Sequence, residues 1–147
     1  MRAYFDFSFL PLLVFKNARR QWAWDLVHGG NEGHPINHLH LLQMENLFVR
    51  TQLQGTEPQR RAGVEGAGLW RFYRDNLVFV LSDPPWLDVF RTALGLHDAT
   101  RKPVPQPSHF LHAASAAALA CTSFVSVHPQ ARRLARDLGL RLVPEKL

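Results

Sequence analysis

The chain has 147 residues, 46% of them hydrophobic and 20% charged, a balance that suits one domain with a proper core and excludes a disordered polymer. Its formal charge is +5 with histidine neutral, and arginine carries nearly all of it, since lysine occurs only at Lys16, Lys102 and Lys146. The single cysteine, Cys121, excludes an intramolecular disulfide and a multi-cysteine zinc site and suits a cytoplasmic protein, while no apolar run reaches the ~18 residues of a membrane span.

The chain opens on Ala3-Tyr4-Phe5-Asp6-Phe7, a short buried strand ending at an acidic residue. Asp6, Ser8 and Pro11 interrupt the apolar start, and no small-residue cleavage site follows, so a signal peptide is not expected. Phe9 to Phe15 reads as a first helix with Pro11 tolerated in its first turn, and Ala18 to Val27 as a second, closed by Gly29 and Gly30. Residues 35–38 are extended. Leu39 to Leu53 has the apolar spacing of a helix with a broad buried face, through Leu41, Leu42, Met44, Leu47, Phe48 and Leu53.

Residues 54–68 are polar and glycine-rich and predict a loop, followed by a short helix from Trp70 to Arg74 and a strand from Leu77 to Leu81. Ser82-Asp83-Pro84-Pro85 predicts a helix start capped by a side chain, the helix running to about Leu96 with Trp86, Phe90, Ala93 and Leu94 on one face. A proline-rich connector, Lys102 to Pro107, leads to Ser108, the expected N-cap of an alanine-rich helix over 109–120. Phe124 to Val127 is the next strand. Pro129 opens a basic helix, Ala131 to Leu138, Gly139 stops it, and Leu140 to Val143 is the last strand.

Strands alternating with helices imply a three-layer α/β fold, with a central, mostly parallel sheet flanked by helices in one domain over 1–147. In such sheets the working site lies beyond the carboxyl ends of the strands. That rule selects Asp6 and His128, and it admits Glu45 and His109 from helix starts at the same edge.

These residues sit in segments that resemble one family. Tyr4-Phe5-Asp6-Phe7-Ser8 resembles the opening of PIN-domain nucleases, in which a strand delivers an aspartate followed two residues later by serine. Leu42-Gln43-Met44-Glu45-Asn46 is similar to their helix carrying one glutamate amid apolar residues. The stretch from His109 to Ala116 resembles the block in which an aspartate opens an alanine-rich helix. Phe124-Val125-Ser126-Val127-His128, followed by Ala131 to Val143, is similar to the last block, a strand ending in Thr-x-Asp, then a helix and a Gly-Leu-x-Val strand.

The resemblance spans nearly the whole chain and implies a PIN-like fold, of the kind found in the toxins of toxin–antitoxin pairs. It further implies an RNA substrate cleaved by metal-activated water, a cognate antitoxin-like protein and a homodimer. Asp6, Glu45, His109 and His128 would be the metal ligands and catalytic set, with Ser8 and Ser126 orienting them. The departure is that histidines stand at the third and fourth acidic positions. Magnesium prefers oxygen ligands, so a set of two histidines and two carboxylates suits Mn²⁺ or another transition metal better. Two readings follow: a ribonuclease with an altered metal preference, or an inactive module of the same fold that binds RNA or protein.

Arg60, Arg61, Arg71 and Arg74, interleaved with Trp70, Phe72 and Tyr73, are candidates for holding RNA phosphates and stacking bases, the alternative being a solvated helix face whose aromatics enter the core. Arg132, Arg133 and Arg136 read as a solvated stripe. Asp83 and Asp98 are better explained by a helix cap and a polar connector than by metal. His112, one turn after His109, reads as a packed, hydrogen-bonded histidine, and His28 and His97 as helix-end residues. His34, His38 and His40 lack a fixed ligand spacing for zinc. Cys121 reads as an inert buried thiol.

Overall fold

The computed structural model describes residues 2–30, 32–100 and 103–145; Lys102, the expected start of the proline-rich connector, lies outside them. Among the described residues the chain is mixed α/β, with seven helices and five short strands, every strand pair parallel. This is the α/β class expected from the alternation of elements, with helices flanking parallel strands. The chain divides into two compact units, Met1–Asp6 with Ser82–Leu147, and Phe7–Leu81.

The first unit holds β1 (Ala3–Phe5), α5 (Trp86–Ala99), α6 (Pro107–Ala118), β4 (Ser123–Val125), α7 (Pro129–Asp137) and β5 (Arg141–Val143). Its sheet has the order β1-β4-β5, with Tyr4 beside Phe124 and Phe124 beside Leu142. Those side chains pack with Ala116, Ala131, Ala135 and Leu140 into one core cluster. Small residues on α6 let it lie close to its neighbours, and Ala113 and Ala114 pack with Val89, Ala93, Phe110 and Leu134 of α5, α6 and α7. Gly139, at φ +78°, ends α7 in a left-handed turn that a side chain would strain, and Leu140 N–H then returns to Ala135 O at 3.0 Å.

Two helix starts here differ from expectation. Pro85 is the N-cap of α5 and makes no side-chain cap bond, so neither Ser82 nor Asp83 occupies that position. Gln106 is the N-cap of α6, which places Pro107 and Ser108 inside the first turn. In α6 the ring of Pro107, at the first helical position, presets the helical φ and lacks an N–H that a cap would satisfy. The apolar face of α5 is also rotated. Val89 and Ala93 are buried, whereas Phe90 and Leu94 are 51% and 64% exposed.

The second unit holds α1 (Leu10–Val14), α2 (Arg20–His28), β2 (His34–Ile36), α3 (His38–Gln54), α4 (Glu57–Asp75) and β3 (Phe79–Leu81), with β2 and β3 paired in parallel. Met44, Phe48, Trp70, Tyr73 and Phe79 are buried, and the Trp70 and Phe79 rings lie 5.4 Å apart. The predicted glycine-rich loop is instead the first two-thirds of α4. Thr56 and Gln59 form a capping box, and Pro58 sits in the first turn. Gly63 and Gly66 are buried on the face toward α3 and α1: a Cβ at Gly66 would lie 3.2 Å from Phe15 Cε1 and 3.3 Å from Phe48 Cε1. The glycines therefore allow close helix packing rather than breaking the helix.

Candidate functional site

Asp6 is the first residue beyond β1. Its N–H donates to Val125 O at 3.0 Å, which continues the β1–β4 ladder, and its side chain is buried. Ser126, the first residue beyond β4, donates its hydroxyl to Asp6 Oδ2 at 2.9 Å. The same Ser126 Oγ accepts the N–H of His128 at 3.0 Å, which fixes the turn that makes His128 the N-cap of α7. Parallel pairing thus brings Asp6, Ser126 and His128 to the carboxyl edge of one sheet, as the topological rule predicts.

His109, in the first turn of α6, reaches the same edge. Its ring lies 4.0 Å from that of His128, centroid to centroid, with the planes inclined by 37°. The Nδ1 atoms of both rings are buried and have no hydrogen-bond partner among the described residues. Burial, helped by the neighbouring His128, pushes the His109 pKa down to about 4, so this ring is neutral near pH 7.

Arg132 completes the cluster and corrects the reading of a solvated stripe. It is 5% exposed; one guanidinium nitrogen donates to Ser126 O at 3.0 Å and the other to Pro144 O and to Glu145 O, the latter at 3.2 Å. Burial, with Arg136 nearby, draws its pKa down, and the Asp6 carboxylate partly restores it. Nothing in the sequence separates Arg132 from Arg133 and Arg136. Its role comes from carbonyls that the ends of β4 and β5 bring within its reach.

The remaining predicted residues belong to the second unit. Ser8 lies in the turn between β1 and α1 and is half-buried. Glu45 is exposed on α3, its Oε1 4.0 Å from Arg74 Nη1 on α4, a loose ion pair. Arg60 is paired with Glu57 at 2.7 Å, and Arg61 and Arg71 are exposed. Of the interleaved aromatics, Trp70 and Tyr73 enter the core and Phe72 stays 57% exposed. Among the described residues no three His, Cys, Asp or Glu side chains gather into a group able to hold a metal ion.

His112, His40 and His34 have structural roles. His112 is buried and shares a 2.9 Å hydrogen bond with Tyr4 Oη. His40, at the third position of α3, completes a buried capping box with Asn37. His34 shares a 2.9 Å hydrogen bond with Val27 O, and burial lowers its pKa. His28 closes α2 and His97 lies in the last turn of α5. Burial raises the Cys121 thiol to about 11, which makes it unreactive at neutral pH.

The donor atoms described at this sheet edge are thus two imidazole nitrogens and one carboxylate already bonded to serine. Such a set is poor in the charged oxygens that magnesium requires and carries a buried guanidinium beside its only carboxylate. A borderline transition ion fits the two free Nδ1 atoms better. A scan against protein-family models and a search of curated proteins found no match for the chain. Among the described residues no helix is long and apolar enough to cross a membrane.

Proposed function

We propose that the chain is a cytoplasmic PIN-like module whose metal centre has decayed and which acts by binding RNA rather than by cleaving it. The observation that supports this most is the close His109–His128 ring pair at the two positions where the resemblance calls for acids. A carboxylate cluster concentrates negative charge and thereby recruits a divalent ion. Here an imidazole pair and the buried Arg132 accompany a single carboxylate, so that driving force is missing. The net charge of +5 and the exposed Arg61, Arg71 and Phe72 suit a phosphate backbone and an unstacked base. Resemblance to the toxins adds a homodimer, for which the exposed stripe Leu87, Phe90 and Leu94 on α5 is the candidate surface.

A second reading, a ribonuclease using Mn²⁺ or another transition metal, is favoured by one observation: the two buried Nδ1 atoms, which have no hydrogen-bond partner among the described residues. A bound ion would supply Lewis acidity and an activated water. His109 and His128 would offer nitrogen ligands, and Ser126 would hold the Asp6 carboxylate in place.

The test uses metal-stripped protein and labelled single-stranded RNA, first in chelator and then in Mg²⁺, Mn²⁺, Co²⁺, Ni²⁺ or Zn²⁺, with Asp6→Asn and His109→Gln in parallel. RNA retention in chelator, with no cleavage and no metal-dependent thermal shift, is the expected result. Cleavage that needs a transition metal and vanishes in Asp6→Asn would replace the proposal with the second reading. Failure to retain RNA at low salt would leave a protein, such as an antitoxin-like subunit, as the partner to seek.

A further inference from the structure

The second unit contains a cleft of about 650 Å³ along one face of α4, lined by α1, the start of α2 and the residues linking them. Its volume lies within the ~300–1,000 Å³ range of small-molecule sites. Val14 and Leu69 form an apolar floor, and the Phe15 and Phe72 rings line it as well. Phe15 is held from behind, packing on Phe48 with centroids 6.0 Å apart. Phe72, by contrast, is 57% exposed, which leaves its ring open to a ligand in the cleft. Gly68 also borders the cleft, and a Cβ there would meet nothing within 4 Å.

Charge distinguishes this cleft from its neighbour. Lys16 and Arg20 line it, and neither has an ion-pair partner among the described residues. Glu65 is the only acidic residue in the lining, which leaves an excess of one positive charge. The adjoining hollow is balanced, with Lys16 and Arg61 against Glu57 and Glu65. Arg20 is half-buried, so its charge is felt in a medium less screening than water. An apolar, partly aromatic wall beside one unneutralised positive charge is complementary to one kind of ligand.

We propose that this cleft binds a small aromatic monoanion, its ring system against Phe15 and Phe72 and its anionic group at Lys16 and Arg20. Glu65 disfavours a dianion. Every lining residue belongs to Phe7–Leu81, and the cleft shares only Phe72 with the residues proposed to hold RNA, so its ligand is tested without RNA.

The probes are 8-anilinonaphthalene-1-sulfonate and its neutral counterpart N-phenyl-1-naphthylamine, each titrated by fluorescence into the full chain. The expected result is one saturable site that takes the sulfonate about tenfold more tightly than the amine. In the double variant Lys16→Gln/Arg20→Gln that preference falls to about twofold or less. Gly68→Trp adds a bulky side chain at the border of the cleft, where a Cβ meets nothing within 4 Å, and it abolishes binding of both probes. Should Gly68→Trp lose its helical circular dichroism, Phe72→Ala serves in its place, with weaker binding of both probes expected. Equal affinity for the two probes, binding unchanged in the blocking variant, or no saturable site would each overturn the proposal. So would an acidic peptide that binds where neither probe does, since the cleft would then be a polypeptide groove.

Discussion

Replacing the three glycines of α4 by alanine, one at a time, separates a packed helix from a polar loop. In a helix interior, glycine to alanine is worth about 1 kcal/mol of added stability when the methyl group has space. Gly68 has that space, with nothing within 4 Å of its Cβ position, so Gly68→Ala should stabilise by roughly this amount. Gly66 does not. Its methyl group would lie 3.2 and 3.3 Å from two aromatic rings, one on the buried Phe48 and one on Phe15, and neither ring can give way without disturbing the other. Overpacking of this kind costs about 1–3 kcal/mol, which outweighs the propensity gain. Gly63 is intermediate: its closest contact, at 3.1 Å, is Gln52 Cγ on a flexible chain, but Thr51 lies 3.2 Å away and is tied to Leu47 O by a 2.7 Å hydrogen bond.

Gly68→Ala and Gly66→Ala should therefore differ by about 2 kcal/mol, with Gly63→Ala between them. Urea denaturation followed by far-ultraviolet circular dichroism measures this directly. Equal stability of the three variants would refute the close packing of α4 on α3 and α1. Destabilisation by Gly68→Ala would refute the helix itself.

Three further outcomes follow from the first unit. The folded pKa of His109, about 4 against an ordinary 6.5, means the unfolded chain takes up the proton first. The stabilisation is complete above about pH 6.5 and is lost as pH falls toward 4; allowing for partial exposure it amounts to about 1–2 kcal/mol. Urea titrations at pH 7 and 4.5 should show a smaller pH dependence in His109→Gln than in the wild type, and equal dependence would refute the assignment. Ser126→Ala removes both the donor to Asp6 and the acceptor for His128 N–H, and should cost about 2–4 kcal/mol by thermal or urea unfolding; a loss below about 0.5 kcal/mol would show that the serine is not a hinge pin of the cluster. Phe90→Glu, in the middle of the exposed stripe on α5, should convert the proposed dimer to a monomer in light scattering, whereas a wild-type monomer would remove the stripe as a dimer surface.

Much of the architecture is legible in the sequence because it depends on local rules. Short β-branched and aromatic runs mark the strands, Pro11 and Pro129 mark helix starts, and Gly139 marks a stop. The alternation of elements predicts parallel strands, and the strand ends point to Asp6 and His128. The failures have one kind of cause. Gly63 and Gly66 look like loop residues until the rings of Phe15 and Phe48 show why nothing larger fits. Phe90 and Leu94 share a helical period with Ala93, and a rotation of α5 by a fraction of a turn decides which of them is buried.

The candidate site divides in the same way. Residue order determines which side chains end the strands, since a side chain's place along a strand is a matter of counting. Only the tertiary structure decided that Ser126 reaches across to Asp6, that the His109 and His128 rings meet, and that Arg132 turns inward. Each of those contacts joins groups from different elements. Their energies depend on distance and on exclusion from water, and neither quantity is written in a linear pattern.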